Sequence, residues 1–254
     1  MRPTAILRDD PKLARIADAL RETFGSRLVS ALLFGSRARG DHRPDSDYDV
    51  AVFLDGYDRA RDSEILRRLR ESLGEDVFTL QFWPFASDGL SERTTLMFNI
   101  RNDAVPLPGL SWPPVIAPSI APDEGPMKPE TKHLLEKSNR DLVLAKKVLA
   151  IDEPESAARD AYFAVLSAAR ALIFELRSLA PKTHSGAASL FSDVAVKSGL
   201  LDASYAAVLS RGLDIRIDVD YEPLPRVTAE QAREYVSQAV DFVAKVTQLI
   251  EQPS

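Results

Sequence analysis

Eight of the chain's 17 prolines fall between positions 106 and 129, at 106, 108, 113, 114, 118, 122, 126 and 129. Proline fixes φ and lacks an amide hydrogen, so no regular helix or inner strand runs through such a stretch. It reads as an extended linker, with Trp112, Val115 and Ile116 pinning part of it to a surface. The halves on either side differ in texture. Strand-like and helix-like runs alternate before it, and strand signals are missing after it. A chain of 254 residues accommodates this as two modest domains: 1–107, a linker at 108–128, and 129–254.

In the first half, Asp10 and Pro11 read as the cap and first residue of a helix with apolar positions Leu13, Ile16, Ala17, Leu20 and Phe24, closed by Gly25. Strands are predicted at 28–34 and 47–54, then an amphipathic helix at 58–73 with Ile65, Leu66, Leu69 and Leu73 inward. A third strand is predicted at 76–83, ended by Pro84. A short helix at 88–101 carrying Leu90, Met97 and Phe98, and an edge strand at 104–107, complete the half. The fold class is an α/β domain with a small mixed sheet.

The chemistry gathers between the first two strands, from Gly35 to Asp49. Gly35 lets the backbone approach an anion closely, and Ser36 offers a hydroxyl and an N–H. Asp47 and Asp49 are alternate residues on a strand, so they share a face about 7 Å apart and can converge on a divalent cation. A phosphate-binding turn beside paired carboxylates is equipment for phosphoryl or nucleotidyl transfer.

Gly35-Ser36, ten residues, then Asp47-Tyr48-Asp49 resembles the signature of the DNA polymerase β-like nucleotidyltransferase superfamily, in the short form of the minimal nucleotidyltransferases of bacteria and archaea. The resemblance implies ATP or another nucleoside triphosphate with its phosphates at Gly35 and Ser36, and Mg²⁺ held by Asp47 and Asp49. It also implies Arg37 or Arg39 neutralising the triphosphate. An acceptor hydroxyl then attacks the α-phosphate and pyrophosphate leaves. Full members add a third carboxylate from a neighbouring strand. The interior of the predicted 76–83 strand has none and Gln81 is neutral, so Asp76, at its very start, is the candidate.

The second half reads as helices at 129–150, 154–179, 185–198 and 202–219, and a last one opened by the capping box Thr228 to Gln231. The second of these is predicted to be central and stopped by Pro181, with Tyr162, Val165, Leu166, Ala169, Leu172, Ile173 and Leu176 at helical spacing and Phe163 and Phe174 broadening the face. Five such helices make an all-α bundle. With the segments Lys182 to Gly186 and Arg216 to Tyr221, this half resembles a HEPN domain, the common helical companion of minimal nucleotidyltransferases. HEPN ribonucleases use an arginine, four to six residues, then a histidine. No histidine follows Arg216 in that way, so the base for RNA cleavage is missing. Arg216, Asp220 and Tyr221 are the candidate site here, against the plainer reading of Arg216 and Asp220 as a helix-surface ion pair. His184 on its own reads as a loop or capping residue.

A net charge of −6 supplies no basic footprint, so nucleic acid is not expected as a partner. The absence of cysteine, of a signal-peptide core and of a bilayer-length apolar run points to the cytoplasm and away from membranes. The leading expectation is adenylylation of a protein or of the chain itself, as in toxin–antitoxin pairs, with Tyr221 as an acceptor candidate. Alternatives are transfer to a small molecule of the aminoglycoside kind, or a catalytically weak nucleotide-binding module. Broad apolar helices also allow a homodimer.

Overall fold

The computed structural model describes residues 10–43, 46–74, 79–113, 127–221 and 227–252. The chain divides into two compact units, residues 1–121 and 122–254.

In the first unit, helix α1 (Pro11–Phe24) starts at Asp10, whose carboxylate accepts from the Lys12 amide, and stops at Gly25, with φ +52°. All five of its expected apolar positions are buried. Strand β1 (Leu28–Phe34) runs into a five-residue helix, α2 (Gly35–Arg39), where the sequence suggested only a turn. Strand β2 (Tyr48–Leu54), helix α3 (Arg59–Ser72), strand β3 (Leu80–Ala86), helix α4 (Thr95–Asp103) and the two-residue strand β4 (Val105–Pro106) follow. The sheet order is β3-β2-β1-β4, with β1 antiparallel to both its neighbours and β2 parallel to β3. Alternation along the central strands feeds two cores. Leu33, Val50 and Val52 pack with α1 and α3, while Leu32, Ala51 and Phe53 pack with Leu90, Met97 and Ile100.

Two further elements of this unit depart from expectation. Strand β3 begins at Leu80 and continues through Pro84 to Ala86. Among the described residues it is an edge strand paired with β2, and an edge tolerates a residue without an N–H. The predicted helix at 88–101 is a 3₁₀ turn, Gly89–Ser91, followed by α4, whose start is set by Thr94 accepting from the Met97 amide. Ile100 is buried there and Phe98 only partly. The first residues of the predicted linker are tied to this unit: Arg21 donates to the Pro108 carbonyl at 2.7 Å and Ser30 to that of Ser111 at 2.6 Å. Residues 114–126, with Val115 and Ile116, and residues 75–78 lie outside the described residues.

The second unit contains helices α5 (Pro129–Ala150), α6 (Pro154–Arg177), α7 (His184–Phe191), α8 (Ala203–Tyr221) and α9 (Ala229–Glu251). The alanine-rich α6 is buried on most sides and packs against the other four. Leu176, expected inward, is 45% exposed. Helix α6 ends at Ser178 in the left-handed region (φ +51°), short of Pro181. Its last carbonyls are met by Lys128, whose ammonium donates to Phe174 O, Glu175 O and Ser178 Oγ. The predicted helix at 185–198 becomes α7 followed by a π-helical turn, Ser192–Val196. Gly212 carries α8 past two tyrosines, because a Cβ there would stand 1.8 Å from the Tyr235 hydroxyl and 2.6 Å from Tyr162 Cδ2. The capping box of α9 is complete. No helix among the described residues is long and apolar enough to cross a membrane.

Candidate active site

The ends of β1 and β2 bring the signature residues together. Phe34, the last residue of β1, pairs with Asp49 on β2. The next residue, Gly35, turns the chain with φ +80°, and a Cβ there would stand 2.7 Å from Asp49 Oδ2. A side chain is therefore excluded twice, by backbone conformation and by the carboxylate beneath the turn. The other Asp49 oxygen, Oδ1, accepts from Trp83 Nε1 at 3.2 Å. Trp83 lies on β3, is 43% exposed, and meets Phe34 edge-on at 6.2 Å. Asp47 stands one residue ahead of β2 and is exposed, Tyr48 is buried and Asp49 is half-buried, an alternation of the strand kind.

Helix α2 is closed by Gly40, at φ +82°, and the Ser36 carbonyl accepts from the amides of Gly40 and Asp41. Ser36 itself is half-buried. Arg37 is engaged by the loop: Nε donates to the Ser46 carbonyl at 2.8 Å and the guanidinium lies 3.9 Å from the Tyr48 ring centroid. Lys12 also lies over that ring, and the Tyr48 hydroxyl donates to Asp10 at 3.2 Å, so α1 is fastened to the start of β2. Arg39 is braced by Asp41 and by Asp103 of α4. The structure thus gathers Gly35 and Asp49, adds a donor in Trp83, and gives Arg37 and Arg39 loop-holding contacts. Trp83 was missed in the sequence. Its signal was its place two residues after Gln81, on one face of a strand paired with β2.

The position on β3 opposite Asp49 is Gln81, a neutral residue. Among the described residues no group of three His, Asp or Glu side chains could hold a metal, and Asp76 lies outside them. The hard oxygens of Asp47 and Asp49 fit Mg²⁺, which commonly takes one or two carboxylates and completes its shell with water and substrate phosphates.

In the second unit, Arg216 Nε lies 2.7 Å from Asp220 Oδ2, one turn along α8. The side chain of Tyr221 lies outside what is described. His184, which the sequence alone could not place, opens α7 beside α6, with Nδ1 2.6 Å from the Tyr162 hydroxyl.

Residues 13–98 match the family model of the nucleotidyltransferase domain, and residues 131–252 that of the HEPN domain. A toxin candidate of Methanocaldococcus jannaschii is 25% identical over 126 residues, covering 50% of this chain and 92% of that protein. A crystal structure of spectinomycin adenyltransferase from Enterococcus faecialis, solved with ATP and spectinomycin, is 12% identical over 92% of this chain and 98% of its own, with a TM-score of 0.49. One domain match falls in each compact unit, so the chain carries a nucleotidyltransferase domain in the first and a HEPN domain in the second.

Proposed function

We propose that the protein transfers a nucleoside monophosphate, AMP from ATP, to a hydroxyl of a protein or of itself, as a toxin–antitoxin-type enzyme. The observation that carries this reading is the lodging of Asp49 against the Gly35 turn, which sets a carboxylate beside the glycine bend of the signature. In this reading the triphosphate lies against Gly35 and Ser36, and Asp47 and Asp49 hold Mg²⁺. The ion supplies charge neutralisation at the phosphates when bound. Asp49 is held in place by Trp83, so its Oδ2 is aimed at the turn. Arg37, bonded to the Ser46 carbonyl, and Arg39, bonded to Asp103, are the proposed cations that neutralise the triphosphate. The choice of a protein acceptor is supported by the named toxin relative and by the HEPN partner domain. Asp76 remains our proposed third carboxylate and Tyr221 our proposed acceptor.

Incubation of the full chain with ATP and Mg²⁺, followed by intact-mass and peptide mass spectrometry, tests this. The expected result is an AMP adduct on the wild type, none on Asp47→Asn or Asp49→Asn, and loss of the modified peptide in Tyr221→Phe. Nucleotide binding with no pyrophosphate release overturns the enzymatic reading and leaves a nucleotide-binding module. Pyrophosphate release dependent on an added small molecule, with no protein adduct, moves the acceptor to that class.

A further inference from the structure

Strand β3 has an inner side paired with β2 and an outer side that no strand among the described residues meets. Pro84 stands opposite Val52 and has no N–H to give that strand, and a proline in a sheet keeps its nitrogen toward the open side. Backbone direction alternates along a strand, so the N–H groups of Leu80 and Phe82 are directed to the same open side. Such an edge is a template for one more strand unless charges or prolines blunt it. From Leu80 to Ala86 there is no charged residue, and Pro84 leaves the run ahead of it unblunted.

Helix α3 turns this edge into a groove. Its residues Ser63, Leu66, Arg67 and Arg70, with Phe82 and Pro84 of β3, line a cavity of about 150 Å³. Leu66 is buried and Phe82 packs against the same core, so the floor is apolar. The charge is at the side. Helix α3 holds five arginines and three acids, and all three acids are engaged. Asp62 is bound by Arg27 and Arg61, Glu64 by Arg67 and Arg68, and Glu71 by Arg67. Arg70 has no carboxylate partner among the described residues, and its Nε is buried without a hydrogen-bond partner. A buried donor without an acceptor is costly, and a carboxylate relieves that cost best, because it matches the guanidinium fork.

We propose that the β3 edge and the α3 groove bind an extended, acidic segment of a partner protein, added to the sheet beside β3 with one of its carboxylates on Arg70. Main-chain bonds to the edge supply affinity, and Arg70 supplies the selection for acid. Charge complementarity favours this occupant over a second copy of the chain, which would bring another arginine-rich α3 to the same groove. The site goes beyond the transfer reaction and uses neither Asp47 nor Asp49.

Fluorescence anisotropy tests this, with the full chain titrated into a short labelled peptide of alternating glutamate and valine, and an alternating lysine and valine peptide as control. Saturable binding of the glutamate peptide alone is expected, weakened about tenfold or more in Arg70→Gln by the loss of a charge-assisted bond. Amide hydrogen exchange at Leu80 and Phe82 is expected to slow when the glutamate peptide is bound. No binding, equal binding of both peptides, protection confined to other elements, or an unchanged affinity in a folded Arg70→Gln overturns the proposal. Self-association that protects the same amides without peptide also overturns it and assigns the edge to a second copy. Should Arg70→Gln fail to fold, Ser63→Glu, at an exposed position of the same groove, sets a carboxylate where the peptide's would lie. It is expected to weaken binding to a similar degree, and an unchanged affinity there overturns the proposal as well.

Discussion

A Cβ on Gly35 would meet the Asp49 carboxylate at 2.7 Å, so the bend has no room for a side chain at that position. In Gly35→Ala the left-handed backbone costs about 1 kcal/mol or more, and the new methyl displaces the carboxylate. Misplacing a catalytic group by about 1 Å can cost about 100-fold in rate, so steady-state turnover is expected to fall on that order while the circular-dichroism spectrum stays native. Trp83→Phe keeps an aromatic edge against Phe34 but removes the donor to Asp49 Oδ1. Hydrogen bonds to charged groups are worth about 1.5–3 kcal/mol, and solvent reaches this one, so kcat/KM is expected to fall about tenfold or less with an unchanged Tm. An unaltered kcat/KM would reduce Trp83 to a surface aromatic. Asp47, Asp49, Gly35 and Ser36 could be singled out in the sequence as candidates because the pattern they form is local, a bend, a hydroxyl and a period of two, and the meeting of Gly35 with Asp49 is the part that the structure shows. Trp83 and Tyr162 could not, since their partners are fixed by strand register and by helix crossing, which no local pattern encodes.

Helix α3 shows how an element can hide its anchor. Its apolar face was readable, yet its most buried polar group, Asp62, is 0% exposed and accepts from Arg27, Arg61 and the Asp58 amide. Burial opposes its charge, but the Arg61 hydrogen bond, the Asp58 amide and Arg27 outweigh it and hold the carboxyl at about 2. A carboxyl depressed on folding stabilises above its unfolded pKa, near 4, and loses that contribution as pH falls toward 2. Asp62→Asn is expected to cost about 3 kcal/mol in urea unfolding near neutral pH, the low end for breaking a buried pair because Arg27 is partly exposed. That difference should shrink on acidification between about pH 4 and 2. In α8, alanine at 212 gains about 1 kcal/mol of helix propensity. The clash with Tyr235 and Tyr162 runs the other way and is larger, so Gly212→Ala is expected to lower Tm, with partial rescue by Tyr235→Phe, which removes the nearest atom. Equal Tm in Gly212→Ala and wild type would show that α8 shifts freely. The helix and strand order was legible from periodicity and caps. The 3₁₀ turn before α4, the π-helical turn after α7 and the extension of β3 through Pro84 were not, because tertiary packing and edge position decided them.

At the scale of the whole molecule, the buried apolar side chains of the described residues form three clusters, one on each face of the sheet and one in the helical bundle. A cavity cut in one is therefore expected to weaken that unit alone. Leu172→Ala, at a buried position of α6, should cost about 2–5 kcal/mol and lower one of two calorimetric transitions, leaving the other in place. A single transition moving as one would show that the units unfold together. The Lys128 contacts extend the point to how the bundle is delimited. Its ammonium seals the far end of α6, its amide donates to Glu175 Oε2, and Thr131 donates to the same oxygen. The bundle's fastening thus sits before its first helix. An expression boundary drawn at Pro129 would remove it, and one drawn a residue earlier would keep it.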